Sequence, residues 1–426
     1  MTISETFDRE RAVLVGCGIK EDSYAPESSL SELARLADTA RADVITRLVQ
    51  IRDRFDPSWM IGRGKVEEIA RIVEEREIDL VIFDRELSPK QLANLEDAFP
   101  CKVIDRTQLI LDIFAMRAQT KEGILQVELA QLEYTLPRLT GRGKELSRLG
   151  GGIGTRGPGE KKLETDRRHI RRRIHHIKKE LEQVAKHRQL HRSRRRKMDM
   201  LQLALVGYTN AGKSTLLNRL TGAGVRREDR LFATLDPTSR LLELPSGEKV
   251  ILTDTVGFIR RLPHHLVAAF RSTLEQVREA DLLLHVVDTN HPEVAEQMEA
   301  VEGVLQELGA SQIPILTVFN KTDCAGEELV STEGESIRIS AFSDSNLERL
   351  TAKVDEMLHA AQVHGSAEIP VSKGEMISDL YRVADVIQSE LSGLTLRIDF
   401  RLPLRRYERM SSEMKSCIRR VYESQK

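Results

Sequence analysis

The chain reads as α/β: a mostly parallel sheet with helices on both faces, preceded by a small α/β unit with an antiparallel helical hairpin and followed by a second small α/β unit. Three observations carry this. Short apolar β-type runs alternate with stretches of helical period through the 426 residues. Four of the runs, Leu203–Val206, Val250–Thr253, Ile315–Phe319 and Ile337–Ser340, each lead into a polar or glycine-containing turn, as buried strands do when they deliver loops to one sheet edge. Between the first unit and these runs lie two leucine- and isoleucine-rich seams of three-and-four spacing, joined by a glycine-rich loop.

A content of 40% hydrophobic and 31% charged residues is that of a soluble globular chain, long enough for two to four domains. No apolar run reaches membrane-spanning length, and the stretch from Met1 to Arg11 is polar and acidic, unlike a signal peptide. A cytoplasmic monomer is expected, brought to a membrane only through a partner. Cys17, Cys101, Cys324 and Cys417 lack metal or redox spacing and read as isolated thiols, and His175 and His176 show no zinc pattern.

In the first unit, residues 1–106, strands are expected at Ala12–Val15 and Leu80–Phe83, and helices at Ser29–Ala37, Val66–Glu75 and Pro89–Ala98. Gly62 to Lys65 reads as a helix-initiating turn, too short to be a second nucleotide site.

The hairpin, residues 107–197, has Leu125, Leu129, Leu132, Leu136 and Leu139 on one arm, and Leu163, Ile170, Ile174, Ile177, Leu181 and Val184 on the other. Pro137 should kink or end the first arm. The loop between them, residues 141–159, holds eight glycines. Charge is segregated: Lys161–Lys197 carries 16 Lys or Arg against 4 acidic residues, a net of +12 in a chain of net charge −1. Such a block points to a polyanion, with RNA favoured over a merely solvated face. The candidate RNA contacts are Arg142, Arg148, Arg156, Arg167, Arg168, Arg171, Arg172 and Arg173.

The third unit, residues 198–361, carries the chemistry. Gly207-Tyr208-Thr209-Asn210-Ala211-Gly212-Lys213-Ser214 is a complete phosphate-binding loop, followed by Thr215. Glycine-rich backbone cradles phosphate oxygens, Lys213 reaches the β- and γ-phosphates, and the Ser214 hydroxyl is placed for Mg²⁺. Asp254-Thr255-Val256-Gly257 supplies a carboxylate for Mg²⁺ through a water and an N–H for the γ-phosphate. Asn320-Lys321-Thr322-Asp323 reads the base: the Asp323 carboxylate accepts from the paired donors of guanine, which adenine lacks. Ser340-Ala341-Phe342 supports guanine O6. The first switch falls in Leu231-Phe232-Ala233-Thr234-Leu235-Asp236-Pro237-Thr238, with Thr234 as second Mg²⁺ ligand and Thr238 in reserve.

These motifs make the unit a P-loop GTPase domain that takes GTP or GDP with Mg²⁺ and no other divalent metal; Lys213, Thr234 and Gly257 are the catalytic candidates. Phe258 stands where many GTPases carry a water-orienting glutamine, so unassisted turnover should be slow and a partner should complete the site. Asn210 is the residue type that holds K⁺ in potassium-dependent relatives, or it simply braces the loop. Beyond Gly365-Ser366, read as a linker, residues 366–426 show the short run Ile369–Val371 and should form a helix near Glu375 to Ser389, a strand near Leu394–Phe400 and a last basic helix.

The order of features resembles the HflX family of translation-associated GTPases. The resemblance rests on Ile104–Thr107, Leu111–Ala115, Gln126–Leu132, Gly151–Glu160, Glu164–Arg168, Gly207–Ser214, Phe232–Thr238 and Asp254–Arg260. It covers residues 12 to 361 well and the remainder loosely. It implies docking of the hairpin on the large ribosomal subunit and its ribosomal RNA, and GTP-dependent splitting of stalled or inactive ribosomes. The alternatives are a large-subunit assembly GTPase and an RNA-binding or remodelling module, ATP-using in some members.

Overall fold

The computed structural model describes residues 9–20, 26–139, 158–197, 200–222, 231–232, 234–260, 276–323, 334–359, 362–403, 407 and 410–423. Its first sheet is parallel, in the order β2-β1-β3-β4, with β1 (Glu10–Ile19), β2 (Ala42–Arg52), β3 (Leu80–Phe83) and β4 (Lys102–Asp105). Strand side chains alternate between faces, so β1 and β3 serve two cores. Ala12, Leu14, Leu80 and Ile82 pack with α1 (Pro26–Thr39) and α4 (Arg106–Arg117). Val13, Val15, Val81 and Phe83 pack with α2 (Arg63–Glu75) and residues near α3 (Pro89–Ala98). The α3 helix has the bounds expected because Pro89 follows an N-cap, Ser88, that forms a reciprocal capping box with Gln91. Strands β2 and β4 were not expected. Charged residues at 43, 47 and 52 interrupt the apolar signal of β2, and β4 is only four residues long.

Helices α5 (Lys121–Arg138) and α6 (Pro158–Lys197) form the hairpin. Leu125 and Leu129 meet Ile177 in its seam, flanked by Leu132, Ile174 and Leu181. Pro137 sits in the last turn of α5, which ends one residue later. Cross-arm ion pairs fix the pairing: the Arg173 guanidinium grips Glu128 at 2.6 and 2.7 Å, and Lys178 meets Glu133 at 2.8 Å.

The second sheet runs β10-β9-β8-β5-β7-β6, parallel except for its edge strand. It comprises β5 (Gln202–Val206), β6 (Thr238–Glu243), β7 (Lys249–Asp254), β8 (Leu282–Asp288), β9 (Ile315–Asn320) and β10 (Ser336–Arg338), with α7 (Lys213–Thr221), α8 (Val294–Glu307) and α9 (Asp344–His359). The C-terminal ends of β5, β7, β8 and β9 lie at one edge, where ligands bind in open α/β sheets.

The third sheet is antiparallel, in the order β12-β13-β11-β14, from β11 (Gln362–Pro370), β12 (Asp385–Ser392), β13 (Thr395–Pro403) and β14 (Ile418–Glu423), with α10 (Gly374–Val383) and α11 (Ser412–Cys417). It corrects three expectations. Gly365-Ser366 is not a linker but lies inside β11, where a Cβ on Gly365 would stand 2.5 Å from Phe400 Cζ; the glycine makes room for a ring from the next strand. The helix after it ends at Val383, and the residues up to Ser392 form a strand. The last basic stretch is a six-residue helix followed by β14, because Ile418, Val421 and Tyr422 favour a strand over a continued helix.

Candidate guanine-nucleotide site

The loop after β5 folds as its sequence demands. Gly207, Asn210 and Gly212 take φ values of 148°, 63° and 98°, and α7 begins at Lys213 so that its free N–H groups face the loop. Lys213 Nζ donates to the Gly207 and Tyr208 carbonyls at 3.0 and 2.8 Å. Its burial pushes the ammonium down to about 8; phosphate oxygens placed beside it would favour the charged form. Thr215 follows, half-buried in the first turn of α7.

Three oxygens converge beside the lysine. Asp254 Oδ2 accepts from Ser214 Oγ at 2.6 Å and from Thr234 Oγ1 at 2.9 Å, and the two hydroxyls lie 2.8 Å apart. Asp254 is fully buried, and its other oxygen, Oδ1, has no hydrogen-bond partner. Burial raises its carboxyl above the ordinary range, against the pull of Lys213, Ser214 and Thr234. An orphaned buried carboxylate oxygen with two hydroxyls is a hard-oxygen donor set of the kind that holds Mg²⁺ together with substrate phosphates. Ser214, Thr234 and Asp254 therefore fit the ion, and Thr238, pairing with Asp254 as the first residue of β6, is not needed.

Gly257 passes against the loop so closely that a Cβ would stand 2.9 Å from Thr209 Cα and 3.1 Å from Lys213 Nζ. Thr255 Oγ1 donates to the Leu205 carbonyl at 2.6 Å, and Val256 is buried in the core. Phe258 is also core, 1% exposed, and its backbone pairs with the loop: the Thr209 N–H donates to its carbonyl at 2.8 Å and its own N–H to Gly207 O at 3.1 Å. The ring in the glutamine position thus anchors the stretch that begins at Gly257, which the sequence reads as the second switch.

At the base side, Asn320 donates to the Ala211 carbonyl at 3.0 Å and accepts from Ala341 N–H at 3.1 Å, tying the phosphate loop to the Ser340–Phe342 turn. Lys321, at φ 64°, donates to Asn210 O at 3.0 Å and pairs with Asp288 at 2.7 Å. The Thr322 N–H donates to Ile339 O at 3.3 Å; Asp323 is exposed beside it, as is Phe342 at 66%. Sequence reading missed Asp288 and also Arg219, whose Nε donates to the Ala341 carbonyl at 3.2 Å. Asp288 stands at the end of a strand as a motif residue would, but nothing local tells that its partner is Lys321, 33 residues on.

Besides Val256, three of the expected ligand-facing residues turn elsewhere. Tyr208 lends the loop its backbone only: its hydroxyl reaches Glu32 of α1 and accepts from the Arg260 N–H at 2.8 Å, while Glu32 also pairs with Arg106. Burial first, and then Glu32, raises its phenol. Phe232 and Leu235 are buried; Phe232, at φ 56°, stacks edge-to-face on Phe114 of α4 with centroids 4.7 Å apart. Apolar side chains flanking Thr234 thus staple the first switch to the N-terminal unit, a role that their motif does not announce. Ala233 lies outside the described residues, as do Arg142, Arg148 and Arg156. Arg173, expected on RNA, pairs with Glu128; Arg168, Arg171 and Arg172 line an exposed groove of α6 with Glu164 and His175, and Arg167 is half-buried nearby.

A buried histidine beneath the loop gives a pH prediction. His285 of β8 is held down to about 4, first by burial and then by the Lys213 charge, against 6.5 when free. Above pH 6.5 neither state is protonated and stability is complete. As pH falls toward 4 the unfolded chain takes up a proton that the folded one refuses, so stability is lost, by about 3 kcal/mol when the loss is complete. Between pH 7.5 and 5 the urea midpoint should fall markedly more in the native chain than in His285→Asn; equal falls would contradict the assignment.

Known proteins resemble this chain over most of its length. A family model for the N-terminal region of GTP-binding GTPases matches residues 27–115, one for their middle region residues 117–195, and one for 50S ribosome-binding GTPases residues 202–321. The GTPase HflX of Caldanaerobacter subterraneus subsp. tengcongensis is 52% identical over 394 residues, covering 92% of this chain and 91% of its own. That of Escherichia coli K12 is 42% identical over 424 residues, covering 97% and 99%. A GTP-binding protein from Sulfolobus solfataricus, solved with GDP, is 26% identical and covers 82% of this chain and 98% of its own at a TM-score of 0.44. With relatives this similar over nearly its whole length, the chain belongs to the HflX family of GTPases.

Proposed function

We propose that the chain is a GTP-hydrolysing switch whose GTP-bound form docks its hairpin on the large ribosomal subunit and separates stalled or inactive ribosomes into subunits, hydrolysis then permitting release. The observation that carries it is the meeting of Ser214 and Thr234 on Asp254 beside Lys213, since Thr234 lies in the stretch read as the first switch, the kind of segment that a γ-phosphate and its Mg²⁺ order. Mg²⁺ bound there would neutralise charge between the β- and γ-phosphates. Lys213 would hold those phosphates, the Gly257 N–H would meet the γ-phosphate, and Asp323 would select guanine. The backbone of Ser340–Phe342 would hold the base from its other side.

With Phe258 buried, no side chain at that position orients water, so the purified protein alone should turn over slowly and ribosomes should speed it markedly. Fast turnover without a partner would contradict this. Asn210 is the candidate for a K⁺ contribution, and equal rates in potassium and sodium buffers would dismiss it. An assembly role is the other outcome: it requires preference for immature large subunits over mature ribosomes in a sedimentation assay.

For the basic arm, exchanging Arg171 and Arg172 for alanine should weaken ribosome binding and flatten its log–log salt slope by about 1.5, because each lost phosphate contact removes about 0.7–0.9. Arg173→Ala should leave the slope unchanged, since its guanidinium is on Glu128. Equal effects of the two variants would return Arg173 to the RNA face.

A further inference from the structure

The first switch does not end at Thr234. Two residues on, the Asp236 carboxylate sits on the N-terminus of α5, the first arm of the hairpin, accepting from Gln119 N–H and Thr120 N–H at 2.9 Å each and from the Thr120 hydroxyl. Those N–H groups lie where α5 begins, so a carboxylate from 116 residues away supplements the helix's own cap, Thr120, whose Oγ1 accepts from Gly123 N–H at 3.0 Å. Gly123 makes the approach possible: a Cβ there would stand 2.5 Å from Asp236 Oδ1.

We propose that Asp236 is the joint that carries the nucleotide state from the magnesium site to the root of the hairpin. Thr234 and Asp236 flank Leu235, whose side chain is buried in the core that runs from α4 through Phe232 to Phe258. With Leu235 seated, the backbone relates the two polar side chains rigidly: when Thr234 is drawn onto Asp254, Asp236 is delivered to α5. When the γ-phosphate leaves and Thr234 is released, Asp236 loses its reason to stay and α5 loses a charged cap. The coupling is reciprocal: a partner that holds the hairpin in place steadies Thr234, which is a route for stimulating hydrolysis with no side chain of its own in the site. The last step rests on the ribosomal reading above; the joint itself does not.

The test reads the joint directly by hydrogen exchange of the Gln119 and Thr120 amides in the full chain, with a non-hydrolysable GTP analogue and Mg²⁺ or with GDP. Exchange should be slower in the analogue state by about tenfold, within the usual range of coupling between sites. In Gly123→Ala, where alanine favours the helix but pushes the carboxylate off its end, and in Asp236→Ala, the two states should exchange alike. Gly123→Ala should keep its basal hydrolysis while losing most ribosomal stimulation. Equal protection of the two amides in both nucleotide states of the native chain would overturn the proposal and make Asp236 a fixed structural cap. Intact nucleotide-dependent protection with no ribosomal stimulation in the native chain would leave the joint standing and remove the ribosome as its partner.

Discussion

Asp323→Asn is expected to lower affinity for GTP on the order of 10³-fold and to raise affinity for xanthosine triphosphate. The carboxylate offers two acceptors to the N1–H and exocyclic amine of guanine; asparagine replaces one acceptor with a donor, which faces the amine and repels it but matches the C2 carbonyl of xanthine. A buried site built for such hydrogen bonds discriminates by 10⁴–10⁵. The smaller figure is chosen because Asp323 is exposed, so water compensates part of the loss. Competition of the two triphosphates for a fluorescent GDP analogue measures it. Retained preference for GTP would move base recognition away from this residue.

Gly257→Ala should slow single-turnover hydrolysis by about 10²-fold or more, the usual effect of misplacing one preorganised donor to a developing charge. The added methyl would meet Thr209 Cα at 2.9 Å and Thr209 Cγ2 at 2.8 Å. A side-chain end could swing aside, but the backbone of the phosphate loop cannot, so the second switch must retreat and take its N–H away from the γ-phosphate. GDP has no phosphate there, and its affinity should change little. Unaltered single-turnover rates would mean that the Gly257 N–H takes no part in the reaction.

What was legible in the sequence was whatever chemistry confines to a short window. The loop from Gly207 to Ser214, the carboxylate at the end of β7 and the base-reading turn after β9 could each be read because strand, turn and ligand are adjacent in the chain. The hairpin was legible because its apolar period repeats on both arms, and Leu129 and Ile177 do meet in one seam. What escaped are the long-range partners. Glu32 meets Tyr208 across 176 residues and Asp236 meets Thr120 across 116, and no periodicity marks either. Tyr208, Phe232 and Leu235 were placed in the ligand set because they sit inside motifs, yet burial directs their side chains into the contact between the GTPase and N-terminal units. Gly365 misled for the opposite reason: a glycine that lets Phe400 cross it looks, in sequence, like a break.

In the proposed cycle it is the GTP-bound form, not hydrolysis, that separates ribosomal subunits. Sedimentation of purified intact ribosomes with the native chain and a non-hydrolysable GTP analogue, beside GDP, tests it most directly. Free subunits are expected with the analogue, the chain comigrating with the large subunit, and intact ribosomes with GDP. An unchanged ribosome peak with the analogue, or equal splitting with GDP, would contradict it.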